Sequence, residues 1–426
     1  MKKFFKKISL SLMIFGTGVC VTLLYTNNKY KVYEEEETKQ IKKHVDTISM
    51  MLETEAGRGN YEMTTASSWP TDGYVFNTTL SKCENGGELS WDDTNKRVLM
   101  SGNVSDKCYV YFDVYVPPRF DEICDETTLA CHVAKLYTGT QGDNNIYYHD
   151  SSLTNGAGDS SYRYAGVSDS VNNYVCFGST ETTCPTDNLY RIIGVFGDKV
   201  KLIKYDYATS NLLGTDGDYY GAYSYDNTNY KGSNYANIAS YYWNNSTRTN
   251  TWSESELNKT NLNTNFIANI GSEWANKIAT TTWKVGENTY ANIRDVVPST
   301  AYQNEVVNPV TAKTTDNKTE YTAQIGLMYA SDYGFAAEPS AWTKKLYNFD
   351  SSSITIVNWM YMGFSEWTIS RDASSSDIAF SLTYSGYLFG QYVYNNYRGV
   401  RPSFSLVAFI TYKSGSGTQS DPIRIN

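Results

Sequence analysis

The chain has 426 residues and a net charge of −9, which leaves room for two or three domains with cores of their own and makes nucleic acid a poor partner. Tyrosine is heavily used, 38 residues against 9 prolines and 9 methionines, and with asparagine it dominates the loops. Such usage is typical of extracellular β-rich proteins and of binding surfaces, and most of these tyrosines suit wet strands and turns without any further role.

The first stretch, MKKFFKKISLSLMIFGTGVCVTLLYTNN, places four lysines before an apolar run from Ile8 to Tyr25. About 18 such residues suffice to span a bilayer core of roughly 30 Å as a helix, with the lysines held on the cytoplasmic side. Residues 1–28 are therefore expected to form a membrane anchor or signal segment. No small-x-small site follows the run, which favours an uncleaved anchor over a cleaved signal peptide, and Val19 is too bulky for lipoprotein processing at Cys20. Both readings export the chain. The expected location is the cell membrane, single-pass, with an extracellular C-terminal region.

Next, YEEEETKQIKKHVDTISMMLETEAG carries Ile41, Val45, Ile48 and Leu52 at 4-3-4 spacing, one apolar stripe on a helix. Glu34 to Glu37 favour its first turn through the helix dipole. A short helical stalk is expected over 33–57. Residues 58–116 then alternate apolar and polar in short runs broken by Gly, Asn and Asp, which predicts a small β-sandwich-like module. Pro117-Pro118 marks its end.

Six cysteines lie beyond Cys20, and an even number in an exported chain argues for disulfides. Cys83–Cys108, Cys124–Cys131 and Cys176–Cys184 is the simplest of the possible connectivities. Zinc is the rival reading, but there is no C-x-x-C and only three histidines, His44, His132 and His149. No metal and no other cofactor is expected.

Residues 117–412 read as one α+β unit. LYRIIGVFGDKVKLIKYDY predicts a hairpin turning at Gly197-Asp198. WSESELNKTNLNTNFIANIGSEWANKIATTTW predicts a helix, with Ser253 as cap and Glu256 three residues on. Short glycine-separated strands follow to Tyr412. The end, 413–426, reads as a Gly/Ser hinge and a short tail.

Several of these segments carry a resemblance. YRIIGVF, DKVKLIKYD, YYWNN, IGLMYASDYGFAA, EWTISR and GVRPSFSL follow one another as in a family of bacterial surface proteins. The C-terminal domain of that family ends in a Gly-Val-Arg-Pro strand and resembles the C-type-lectin-like fold, in the branch shared with formylglycine-generating enzymes. The resemblance covers roughly 173–406. The expected fold class is thus α+β: a C-type-lectin-like C-terminal domain preceded by a transmembrane helix, a short helical stalk and the small β-module.

The resemblance implies that Gly399-Val400-Arg401-Pro402 closes the core sheet and that the preceding segment is displayed. Tyr384, Tyr387, Gln391, Tyr392, Tyr394, Asn395, Asn396 and Tyr397 become candidate ligand contacts, because tyrosine gives rigid area and amides give adaptable hydrogen bonds. An ordinary hairpin with solvated tyrosines is the plainer alternative. Arg401, Trp252, Trp274 and Trp367 are expected to be structural, as are Trp283 and Trp359, and Glu366 and Arg371 could form a buried pair.

The catalytic branch of that fold needs C-terminal cysteines, and none follows Cys184. There is also no G-x-S-x-G, H-E-x-x-H or P-loop, and His149 is the one plausible histidine base. A non-enzymatic adhesin or receptor is expected, with an extracellular glycan or protein as partner; a structural envelope protein is the second reading, and a glycan-acting enzyme the third.

Overall fold

The computed structural model describes residues 45–102, 106–222, 230–232, 238–309, 318–395 and 397–426. Two compact units divide the chain, one ending at Pro118 and one starting at Arg119.

The first unit contains β1 (Val45–Glu53), β2 (Tyr61–Thr64), β3 (Tyr74–Phe76), β4 (Lys82–Cys83), β5 (Glu88–Asp92), β6 (Arg97–Ser101) and β7 (Asp106–Val114). Its sheet runs β2-β1-β7-β3, with β4 also on β7, and β5–β6 form a separate hairpin. β1 lies parallel to β7, Met50 opposite Val110 and Leu52 opposite Phe112. Met50, Val110, Phe112 and Phe76 make the core, and Trp91 of the hairpin packs edge-on to Phe112 at 5.5 Å. Cys83 sits directly opposite Cys108 and is bonded to it.

Two expectations change here. The helical stalk is replaced, from Val45 on, by a strand in the middle of the sheet. Ile48, Met50 and Leu52 share one strand face at period two, and the 4-3-4 stripe leaves out Met50, the one of these three that is buried. Among the described residues, no helix is long and apolar enough to cross a membrane. The longest helical run, Leu257–Phe266 continued by Ile267–Asn269, reaches about 20 Å at 1.5 Å per residue. The single-pass membrane placement and the helix-plus-stalk fold class are corrected accordingly, to a mixed α+β chain dominated by strands. The segment 8–25 and the first part of the stalk lie outside the described residues.

The second unit opens with the short helices Phe120–Ile123 and Leu129–Ala134, and β8 (Ile146–His149), β9 (Ser161–Tyr164), β10 (Tyr174–Cys176), β11 (Leu189–Phe196) and β12 (Lys199–Lys204) follow. β11 and β12 form the expected hairpin, turning at Gly197 with φ 62°. Further on come β13 (Tyr219–Ala222), β14 (Ala239–Tyr241), β15 (Thr281–Lys284), β16 (Glu287–Asn288) and β17 (Glu320–Ala323). The chain finishes with β18 (Glu366–Asp372), β19 (Ile378–Leu382), β20 (Leu388–Tyr392), β21 (Ser403–Ser405), β22 (Tyr412–Ser414) and β23 (Arg424–Ile425). One sheet runs β21-β12-β11-β9-β8 with β10 on β11, and another runs β16-β18-β19-β20.

The predicted helix over the tryptophan-bearing stretch forms only in part. Gly271, at φ 79°, divides it, and its last residues belong to β15. The capping hydroxyl is that of Ser255, which accepts from the Asn258 N–H at 3.2 Å; Ser253 falls in the preceding turn, Trp252–Glu254. Residues 413–426 are folded into this unit rather than forming a hinge: the Ile423 N–H bonds the Tyr174 carbonyl, and Ile423 and Ile425 join the core. Disulfides join Cys124 to Cys131 and Cys176 to Cys184.

Candidate functional site

The Arg-Pro corner is a rigid base. Arg401 donates twice to Glu366, both at 2.7 Å, and once to the Met360 carbonyl, with both side chains buried. A Cβ on Gly399 would stand 2.6 Å from the Tyr207 ring, so only glycine allows that approach. Arg371 does not meet Glu366. The two sit at opposite ends of β18, about 16 Å apart at a strand's rise, and Arg371 donates to the carbonyls of Val285, Asn250 and Lys318. Trp252, Trp283, Trp359 and Trp367 are fully buried and Trp274 nearly so. Trp367 Nε1 donates to the Tyr241 carbonyl at 2.8 Å, and Trp243 Nε1 to the Thr368 carbonyl at 3.0 Å.

Above this base the candidate tyrosines fall into two groups. Tyr392 ends β20 with about half its surface exposed, and Tyr394 lies 6.0 Å from it, ring to ring. The Arg248 guanidinium covers the Tyr394 ring at 5.3 Å. Gln391 is half-buried and Asn395 exposed beside them, while Asn396 lies outside the described residues. Tyr397 turns to stack on Tyr220 at 3.7 Å with the rings 6° from parallel, and Tyr242 meets both edge-on. Contact between the Tyr220 and Tyr397 hydroxyls raises the Tyr220 hydroxyl above its ordinary pKa. The segments run side by side: Val393 accepts from the Trp243 and Asn244 N–H groups, and Arg398 and Tyr241 exchange backbone bonds.

Tyr384 and Tyr387 belong elsewhere. They occupy the turn before β20, about 17 Å along the strand from Tyr392, and Tyr387 packs against Tyr347 and Phe389. Between the two groups the outer edge of β20 is closed to an added strand. The Tyr290 hydroxyl accepts from the Gly390 N–H at 3.0 Å and donates to its carbonyl at 3.3 Å, a protection often needed by edge strands.

Tyr220, Tyr242 and Arg248 were not foreseen. The signal was in the sequence as two Tyr-Tyr pairs, Tyr219-Tyr220 and Tyr241-Tyr242. Strand alternation sends one of each pair inward, where Tyr219 meets Tyr241 at 5.5 Å, and the other outward, where Tyr220 meets Tyr242 at 5.5 Å.

The histidine considered as a general base is sealed in the core. His149 has no exposed surface, its Nδ1 accepts from the Ala157 N–H at 3.0 Å, and Phe335 and Trp342 flank the ring. No family model, no curated protein and no solved structure matches the chain.

Proposed function

We propose that this protein is a non-catalytic binding protein whose second unit holds an extracellular ligand on the face formed by Tyr220, Tyr242, Tyr392, Tyr394 and Tyr397. The observation that carries this reading is the gathering of tyrosines from two distant segments into two ring clusters, Tyr392 and Tyr394 with Arg248, and Tyr397 with Tyr220 and Tyr242. Rigid scaffold plus exposed loops is how binding sites are commonly built, and tyrosines with adaptable amides beside them make suitable contacts for a glycan or a protein. Because Tyr290 closes the edge of β20, the ligand is held by side chains rather than by strand addition. The three disulfides support work in an oxidising compartment outside the cytoplasm.

The test is retention of the purified protein on an immobilised glycan array and on intact bacterial cells. Tyr392→Ala with Tyr394→Ala is expected to lower retention at least 30-fold, since an anchor truncation often costs about 2 kcal/mol or more. The melting temperature should fall by no more than a few degrees, because Tyr392 is about half exposed and Tyr394 only borders the core. Retention by a stable double mutant equal to wild type, or no retention of the wild type on either surface, would sink the reading.

A further inference from the structure

A cluster of ionisable groups is buried in the second unit, apart from the tyrosine face. Lys201, on β12, has about one-twelfth of its side chain exposed, and its Nζ donates to Asp332 Oδ2 at 2.5 Å. Aromatic rings enclose the amine: Tyr329 at 4.5 Å, Trp283 at 5.5 Å and Phe196 at 5.7 Å. Asp332, on the short helix Ala330–Phe335, is 3 % exposed and also accepts from the Tyr329 N–H. Its other oxygen, Oδ1, faces Arg163 Nη1 at 3.6 Å, a buried donor without a hydrogen-bond partner. The remaining Arg163 donors are engaged by Ser161 and Asp159. A third carboxyl, Glu305, is buried at the same turn, where it accepts from the Ala330 and Ser331 N–H groups and from the Ser370 hydroxyl.

We propose that Lys201 and Asp332 condense without any other enzyme to an intramolecular amide, a covalent cross-link tying β12 to the helix Ala330–Phe335. Nucleophile and electrophile are already in contact, and oriented contact of this kind replaces a very large effective concentration. Burial favours the neutral amine over the ammonium, the usual way a lysine becomes a nucleophile.

The step balances. The Lys201 ammonium passes one proton to Asp332 Oδ2 across their hydrogen bond, its nitrogen lone pair forms the bond to Asp332 Cγ, and Oδ1 carries the developing charge toward Arg163 Nη1. The second proton passes from nitrogen to the same Oδ2, which leaves as water once the C–O bond breaks. Ammonium and carboxylate thus become one amide and one water, with no oxidant and no co-reactant. The enclosed site then withholds the water that hydrolysis would need.

The deciding measurement is the intact mass of the purified full chain, denatured with its disulfides reduced, compared with that of Lys201→Arg. Wild type is expected to be lighter by one water after allowance for the substitution. A tryptic map should join the fragment holding Lys201 to the fragment holding Asp332, with no cleavage after Lys201. Asp332→Ala should leave the whole chain at full mass. Wild type at full mass, or a dehydration mapped to another pair, overturns the proposal. Should Lys201→Arg fail to fold, its denatured mass still serves, and the wild-type map decides alone.

Discussion

His149 places an acid limit on the second unit. Burial, and then the charge of Arg163, hold its imidazole well below the ordinary value, against a weaker pull from Asp159. Its Nδ1 must stay unprotonated to accept from Ala157. In the unfolded chain the ring titrates near 6.5, so below that pH the unfolded state binds a proton that the folded state refuses. Stability from this group is full above about pH 6.5 and falls by about 1.4 kcal/mol per pH unit beneath it, until the folded value is reached. Denaturant melts of wild type and His149→Gln between pH 7 and 5 should differ in slope, whatever their stability at pH 7; equal slopes would contradict the account. Asp159 acts lower down. Burial pushes its carboxyl up, but the Arg163 charge and hydrogen bonds from Ser161, Tyr302 and Arg163 outweigh it and bring it to about 2. Its contribution is present above about pH 4 and is lost as pH falls toward 2. Asp159→Asn should therefore remove roughly 2 kcal/mol of the wild-type decline across that interval, a difference readable from urea midpoints at pH 4 and pH 2.

Among the elements, β1 separates two readings of one sequence. A helix with the 4-3-4 stripe needs Ile48 and leaves Met50 on its polar side; the strand buries Met50 and leaves Ile48 about two-fifths exposed. Met50→Glu should unfold the first unit, since an unpaired charge in a small core costs several kcal/mol. Ile48→Glu should cost less than about 1 kcal/mol. Near-ultraviolet circular dichroism of the two variants gives the answer, and the reverse order would restore the helix. What the sequence made legible was local. Hairpin β11–β12 needs only its own residues and one glycine turn, and Cys83 and Cys108 lie 25 residues apart on strands that pair directly. The role of Arg401 was readable because an arginine beside proline at a strand start must find an acceptor when buried. β1 was not legible because its decisive partner, β7, lies parallel and some 60 residues on, and such pairing is set by tertiary contacts rather than propensity. The tyrosine face was half legible for the same reason. Tyr392 and Tyr394 are neighbours in the chain, whereas Tyr220 reaches Tyr397 across 177 positions, a contact that the Tyr-Tyr pairs announced only as an outward-facing ring.

At the level of the whole molecule, the two units differ sharply in how much core they own. The first gathers Met50, Phe76, Val110 and Phe112 with a few half-buried neighbours; the second holds dozens of buried side chains, among them Trp243, Trp252, Trp283 and Trp359. Small domains bury too little apolar surface to be secure without a staple. Cys83–Cys108 supplies one, closing a 25-residue span worth about 3.5 kcal/mol in the chain-entropy account. The second unit has Cys124–Cys131 and Cys176–Cys184, spans of 7 and 8 residues, and a far larger core beside them. Each core is drawn from one unit alone, so calorimetry of the purified protein should resolve two transitions. Cys83→Ser with Cys108→Ser should shift the smaller one down by 10 °C or more, taking about 4–8 °C per kcal/mol for a domain of this size, and leave the larger one in place. A shift of both transitions together would mean that the two cores unfold as one, and the division of stability between the units would be wrong.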